Sequence, residues 1–346
     1  MVIIMQAGAP EEEVEAVIKA VEKTGFRPWV NPGVERKVIA LLGAMDAEKI
    51  ELVDHFSALP GVERVTLISE PYKLPSRRTH PDPTVVEVGP VRIGGAELAV
   101  IAGPCSIESR EQMIEAAQAV KESGANLLRG GAFKPRTSPY SFQGLGVAGL
   151  QILAEARELT GLPIITEVVH PGDLEIIAKY ADIIQVGARN MQNFRLLQEV
   201  GQTGKPTMIK RHPGCRVQEL LTASEYVMLE GNPNVILCER GITTFEHATR
   251  YTFDLSAIPV LKRFSHLPVI ADPSHATGDW RYVTAVALAA VAGGADGIMV
   301  EVHPDPTVAL SDGPQSLRPE KFADLMRSLR QVAAAVGREV RQPVAQ

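Results

Sequence analysis

Eight apolar runs recur between residues 98 and 301, at 98–102, 126–129, 163–167, 183–187, 206–210, 234–238, 268–272 and 297–301, with helical stretches between most of them. That alternation encodes parallel strands, which are buried on both faces and need a crossover of a dozen or more residues to connect them. Two architectures use it: an open doubly wound sheet and a closed (β/α)8 TIM barrel. Eight units in about 240 residues, with no G-x-G-x-x-G after the first run, favour the barrel. Helix punctuation agrees, because Ser109 and Gln112 have capping-box spacing and Gly124 ends the helix they open.

A barrel of roughly 250 residues leaves about 90 of the 346 to a second unit. The break falls at 70–84, where Pro71, Pro75, Pro81 and Pro83 keep the chain extended. Upstream, residues 2–5 are a short apolar run. Pro10 and Glu11, Glu12 and Glu13 open a helix with Val14, Val17, Ile18 and Val21 on one face. Strand-like runs at 26–31 and 37–42, a helix at 47–58 and a last strand at 62–69 complete the order βαββαβ, that of a ferredoxin-like domain. The expected organisation is an α/β chain: a ferredoxin-like unit at 1–70, a linker and hairpin at 71–97 with the hairpin at 85–93, and a barrel at 98–340.

Composition narrows the function. With 35 basic against 41 acidic residues the net charge is −6, which argues against nucleic-acid binding. No apolar run approaches the length of a membrane helix, and the N-terminus lacks a basic n-region with a cleavage site, so a cytoplasmic protein without a membrane partner is expected. Cys105, Cys215 and Cys238 are odd in number and lack C-x-x-C spacing, which excludes a disulfide framework or zinc ribbon. Cys238, in an apolar run, is expected to be packing.

In a barrel the residues after the strand C-termini converge on one face. Here they are Cys105; Arg129, Lys134 and Arg136; Glu167; Arg189; Lys210 and Arg211; Arg240; Asp272 and His275; and Glu301, His303 and Asp312. Strand ends that served stability alone would seldom carry so many charges, since buried charges must be paired or hydrogen-bonded. Any one arginine could be a surface ion-pair partner. Seven basic groups together, in an acidic chain, point to a pocket for phosphate and carboxylate groups. Within the set, Cys105, His275, Glu301 and Asp312 offer one thiolate, one imidazole and two carboxylates. Mixed S, N and O donors suit Mn²⁺, Fe²⁺, Co²⁺ or Zn²⁺ and exclude a site built purely for Mg²⁺ or Ca²⁺. The structural alternatives are a packed cysteine and a histidine bonded to backbone.

The segments AGPCSIES (102–109), RGGAFKPRTSPYSFQG (129–144), QVGARNMQN (185–193), ILCERG (236–241), DPSH (272–275), GIMVEVHPDP (297–306) and SDGPQSL (311–317) resemble those of 3-deoxy-D-arabino-heptulosonate 7-phosphate (DAHP) synthases. The likeness runs from about residue 70 to 330, and the first 70 residues resemble the regulatory domain of one subfamily. It implies a transferase at the entry to the shikimate pathway, joining phosphoenolpyruvate to erythrose 4-phosphate with a divalent metal. Carried over residue by residue, Cys105, His275, Glu301 and Asp312 hold the metal, and Arg129, Lys134, Arg189, Lys210 and Arg240 surround phosphoenolpyruvate. Lys134, Arg136 and Thr137 serve erythrose 4-phosphate. Lys134 is the expected proton donor to the aldehyde oxygen, and Glu167 is a candidate for positioning the attacking water. An aromatic amino acid effector, tyrosine or phenylalanine, and a homo-oligomer of four chains are also expected.

The chain departs from the family pattern in places. His212-Pro-Gly-Cys215 follows Arg211 where a glycine-led loop is usual, and ATGDWRY follows His275 where a glycine-rich basic stretch is usual. Trp29 and Asn31 stand where smaller polar effector contacts are expected. Two other readings compete. A 3-deoxy-D-manno-octulosonate 8-phosphate synthase would share the barrel and first substrate but usually carries K-A-N-R-S in place of Lys134-Pro-Arg-Thr-Ser138. A non-catalytic phosphometabolite sensor would be favoured by a lost ligand or lysine, and none is lost.

Overall fold

The structure, a computed structural model, describes residues 1–31, 36–42, 46–66, 71–136 and 138–340. Thr137 and residues 67–70, the end of the last strand expected in the first unit, lie outside them. The chain forms two compact units, Met1–Pro83 with Phe264–His266, and Thr84–Arg263 with Leu267–Gln346.

In the first unit β1 (Val2–Met5), α1 (Glu11–Lys23), β2 (Arg27–Asn31), β3 (Val38–Leu42), α2 (Asp46–Ser57) and β4 (Val62–Thr66) follow the expected order. The sheet runs β2-β3-β1-β4 and every pairing is antiparallel, the ferredoxin-like arrangement. Alternation along the strands sends Ile3, Met5, Ile39 and Leu41 to one face, where they pack with Val14, Val17, Val21 and Phe56 from the helices. Ile18 is partly buried against the same core. Val2, Ile4, Val38 and Ala40 line the other face with Trp29, and Asn31 is buried, its side-chain amide donating to the Thr79 carbonyl at 3.2 Å.

The second unit opens with a hairpin, β5 (Val86–Val88) and β6 (Val91–Ile93). The barrel follows as β7 (Ala99–Gly103), α3 (Arg110–Ser123), β8 (Leu127–Arg129), α4 (Val147–Thr160), β9 (Ile164–Val168), α5 (Leu174–Tyr180), β10 (Ile183–Val186), α6 (Phe194–Gln202) and β11 (Thr207–Lys210). It continues with α7 (Val217–Leu229), β12 (Val235–Glu239), α8 (Ala257–Phe264), β13 (Val269–Ala271), α9 (Pro273–Thr277), α10 (Trp280–Ala292), β14 (Gly297–Glu301) and α11 (Pro319–Ala335). The eight strands β7 to β14 are all parallel and close, β14 pairing with β7 and β9 with β10. The open-sheet alternative is thereby excluded. Ser109 caps α3 by accepting from the Gln112 amide, and Gly124 ends it in the left-handed region at φ 100°.

The barrel interior is apolar at its N-terminal end. Val86, Val88, Val91 and Ile93 of the hairpin join Ile101, Leu127, Ile165, Met208, Ile236, Cys238 and Met299 in one buried cluster. The hairpin fills that end, with Gly89 beside Pro163 and Gly94 beside Pro268, the residues just ahead of β9 and β13. Charge is left to the opposite end. Among the described residues no helix is long and apolar enough to cross a membrane.

Candidate active site

A cavity of about 520 Å³ opens at the C-terminal ends of the strands. Lys134, Arg136, Arg189, Lys210 and Arg240 line it, together with Glu167, His275 and Asp312. Arg129 and Cys105 lie beneath, lining a smaller void with Lys134 and Glu167. Ten of the residues singled out from the sequence thus line the cavity or the void beneath it; Asp272, Glu301, Arg211 and His303 line neither, and Thr137 is outside the described residues.

Local structure fixes each of them. Cys105 follows β7; its buried thiol donates to Asp312 Oδ2 at 3.1 Å and accepts from the Lys134 ammonium at 3.0 Å and the Ser311 hydroxyl at 3.3 Å. Lys134 Nζ also donates to the Cys105 carbonyl at 2.9 Å. Asp272 caps the short helix α9, accepting from the His275 amide at 3.0 Å, and so sets where the imidazole stands. The same carboxylate takes the buried Lys210 ammonium and lies 2.7 Å from His275 Nδ1. Glu301 ends β14, and its Oε2 accepts from Gln315 Nε2 at 2.8 Å. Asp312 is the one non-glycine residue among those described with a left-handed backbone, φ 54°. Backbone strain of about 1 kcal/mol or more persists where the surroundings over-determine a position, and here Arg250 Nη1 reaches Asp312 Oδ1 at 3.3 Å.

One ligand atom from each of Cys105, His275, Glu301 and Asp312 falls within 4.8 Å of the others. These donors fit a divalent cation. Glu301 Oε1 is buried yet forms no hydrogen bond, and with His275 Nδ1 2.7 Å from Asp272 the other ring nitrogen, Nε2, stands 3.3 Å from that oxygen. Burial holds the His275 pKa below the ordinary imidazole value in spite of Asp272 and Glu301, so the ring is neutral and can ligate. Burial, then the Glu301 charge, push the Cys105 thiol up to about 12, a cost that a bound cation would reverse. Asp312 falls to about 2: burial opposes its charge, but His275, the Cys105 thiol and Arg250 outweigh it.

The anion side is equally direct. Arg129 is buried, its Nη1 lies 3.3 Å from Glu301 Oε1, and its Nε and Nη1 form no hydrogen bond. Arg136 donates from Nε to the Phe142 carbonyl at 2.9 Å and keeps a buried Nη2 unbonded, while Arg189 Nη1 donates to the Pro135 carbonyl at 2.8 Å. Gln185 Nε2 donates to Glu167 Oε2 at 3.0 Å. Arg211 sits behind the cavity wall, bridging Glu239 and Asp254 at 2.8 Å each. His303, which follows the end of β14, faces Glu108 at 3.4 Å.

Sequence reasoning missed Arg250, Tyr251 and Gln315. Arg250 and Tyr251 line the cavity, and Gln315 links Arg250 to Glu301. Arg250 and Tyr251 come from a loop and Gln315 from the single 3-10 turn Gly313–Gln315, segments too short or irregular for periodicity to mark them. The only signal is that Gln315 lies inside the SDGPQSL motif.

Comparison with known proteins agrees with the geometry. The phospho-2-dehydro-3-deoxyheptonate aldolase of Thermotoga maritima is 46% identical over 340 residues, 98% of this chain and all of that protein. The 2-dehydro-3-deoxyphosphooctonate aldolase of Bradyrhizobium diazoefficiens is 35% identical over 264 residues, 71% of this chain and 93% of its own length. The crystal structure of the Thermotoga DAHP synthase superimposes with a TM-score of 0.78 at 45% identity, covering 98% of each chain. A truncated form of the Thermotoga enzyme gives 0.74 at 46% identity over 78% of this chain and 99% of its own. Residues 1–70 match the DAHP synthase ferredoxin-like domain and residues 78–337 the DAHP synthetase I family, and the chain is a member of that family.

Proposed function

We propose that the chain condenses phosphoenolpyruvate with D-erythrose 4-phosphate and water to give 3-deoxy-D-arabino-heptulosonate 7-phosphate and inorganic phosphate. The observation that carries this reading is a cavity lined by a cluster of basic side chains and by His275 and Asp312, two members of a four-donor set whose other members, Cys105 and Glu301, offer ligand atoms within 4.8 Å of theirs. Cys105, His275, Glu301 and Asp312 would hold Mn²⁺, Fe²⁺, Co²⁺ or Zn²⁺. That ion, when bound, supplies a Lewis acid for the aldehyde oxygen.

The side chains meet the remaining demands. C3 of phosphoenolpyruvate forms a bond to the aldehyde carbon, water adds its oxygen at C2, and the C2–O bond to phosphate breaks. Two anions must first be held side by side against their repulsion, and Arg129, Lys134, Arg189, Lys210 and Arg240 hold the enol phosphate. Arg136, with Thr137 beside it in sequence, takes the acceptor phosphate, and the unbonded Nη2 of Arg136 is a donor suited to it. Lys134 gives a proton to the aldehyde oxygen as the carbon–carbon bond forms. Glu167, fixed by Gln185, orients the water. Residues 1–70 contribute none of these groups and serve regulation, with tyrosine or phenylalanine as effector. A cytoplasmic homotetramer completes the reading.

An aldehyde panel tests it. With Mn²⁺ and erythrose 4-phosphate, the purified chain should consume phosphoenolpyruvate and release inorganic phosphate at equal rates. Preference for arabinose 5-phosphate would move the assignment to the octulosonate synthases, and no turnover with any acceptor would leave a phosphometabolite sensor.

A further inference from the structure

Arg240 lines the cavity with only 5% of its surface exposed, and among the described residues it makes no ion pair and no side-chain hydrogen bond. What it does touch is a ring. Its guanidinium carbon stands 4.4 Å from the centroid of Tyr251, and the guanidinium of Arg250 lies 5.7 Å from the same centroid. Arg250 in turn donates to Asp312 Oδ1 and to Gln315 Oε1, and Gln315 donates to Glu301. One aromatic side chain thus adjoins a cation on the anion side of the cavity and, through Arg250, two carboxylates of the donor cluster.

The backbone holds the ring in that place. Ile242 and Thr252 exchange hydrogen bonds of 2.9 and 3.0 Å at the base of their loop. The Tyr251 amide donates to the Ala276 carbonyl at 2.8 Å and the Arg250 amide to the Thr277 carbonyl at 2.9 Å, fastening the returning strand of the loop to the helix that carries His275. Two glycines make the approach possible. Gly241 has φ 93°, and a Cβ there would lie 2.7 Å from the Tyr251 Cβ; Gly278 has φ 70°, and its Cβ would lie 2.5 Å from the Arg250 Cβ.

A carboxylate could also fix Arg240, but it would neutralise the charge and compete with an anionic substrate. An aromatic face orients a guanidinium while leaving its N–H groups free for phosphate. We propose that Tyr251 is a positioning residue for phosphoenolpyruvate, holding the plane of Arg240 on the cavity wall by a cation–π contact. The inference rests on the reaction and on the role of Arg240 proposed above.

Steady-state kinetics on Tyr251→Leu and Tyr251→Phe, each with and without Arg240→Ala, test it. Leucine should raise the KM for phosphoenolpyruvate about tenfold and leave kcat and the KM for erythrose 4-phosphate within about twofold. Phenylalanine, which keeps the ring, should behave as the wild type, and in the Arg240→Ala background leucine should add less than about twofold. An unchanged KM in the leucine variant, equal loss with phenylalanine, or the same loss without Arg240 would each overturn the proposal. Tyr251→Met replaces the leucine variant if that does not fold. Inorganic phosphate affinity, read by calorimetry on the same proteins, separates the two readings: a wild type that turns over no substrate defeats the proposed reaction, while the coupling of ring to Arg240 is still decided by phosphate binding.

Discussion

Nη1 of Arg129 and Oε1 of Glu301 lie 3.3 Å apart, buried at the C-terminal ends of their strands, and neither atom is in a hydrogen bond. A buried ion pair is stable only when its remaining donors and lone pairs are also satisfied. This one is half finished: Glu301 Oε2 has Gln315, whereas Oε1 faces Arg129 and His275 Nε2, each at 3.3 Å. A cation among the donors would satisfy Oε1, and an anion above would satisfy the guanidinium. The pair therefore joins the two halves of the site.

Replacing Cys105 by Ala removes a donor from the cluster and leaves Lys134 and Asp312 without their sulfur partner. Outer partners of a metal typically cost ten- to a hundredfold in affinity, so a direct ligand should cost more than about a hundredfold. Metal content after dialysis against a weak chelator measures it, together with the activity restored by added Mn²⁺. A variant that retains metal at the wild-type level would remove Cys105 from the donor set.

Arg136→Ala should lose about 2 to 4 kcal/mol of transition-state stabilisation, read as kcat/KM for erythrose 4-phosphate, with a smaller effect on the KM for phosphoenolpyruvate. The arginine reaches its place through the Phe142 carbonyl, so its guanidinium is held with one buried nitrogen unbonded. If the loss fell chiefly on phosphoenolpyruvate, Arg136 would belong to the other substrate.

The barrel was legible because its strands break a common pattern. Buried on both faces, they read as apolar runs, and each observed strand begins and ends within two residues of its run. The site was legible for the opposite reason: charges such as Glu301 and Asp272 sit where a merely stable barrel would place none. What stayed hidden depends on contacts between distant loops. Arg250 acts on Asp312 across 62 residues and Gln315 reaches back 14 residues to Glu301, and neither pair shares a helix or a strand whose pattern would reveal it. Asp272 was visible as a charge, but its triple engagement of Lys210, His275 and the start of α9 exists only in the fold.

His266 makes stability fall in acid. It is 2% exposed, its Nε2–H donates to the Leu74 carbonyl at 2.8 Å, and its ring stacks on His80 with centroids 4.3 Å apart. Burial lowers its pKa to about 3; the bond to Leu74 opposes the shift, and the charges of His80 and Arg77 add to it. Between about pH 6.5 and 3 the unfolded chain binds a proton there that the native chain refuses, so stability rises with pH through that window and is lost as pH falls through it. From pH 6.5 to 4.5 the loss from this group is about 2 to 3 kcal/mol. His266→Gln keeps a donor for Leu74 and should lose about that much less over the same range, measured by urea unfolding at both pH values. Parallel pH dependence in the two proteins would show that His266 titrates normally.

Residues 1–70 should be separable from catalysis. They match a domain family of their own, form a four-stranded sheet with its own apolar core, and among the described residues contribute none to the cavity or to the donor cluster. A protein beginning at Tyr72 keeps the segment whose Leu74 carbonyl receives His266, so that buried imidazole retains its partner. It should therefore fold and turn over substrate with a kcat within a few-fold of the full chain. An effector acts only by binding one state of the protein more tightly than another, and tenfold preference at saturation shifts the equilibrium by about 1.4 kcal/mol. If tyrosine or phenylalanine inhibits the full chain by binding residues 1–70, the shortened protein has lost the site and inhibition must vanish while activity remains. Inhibition of unchanged strength after truncation would place the effector on the barrel, and a full chain insensitive to both amino acids would leave the first unit a role in stability or assembly.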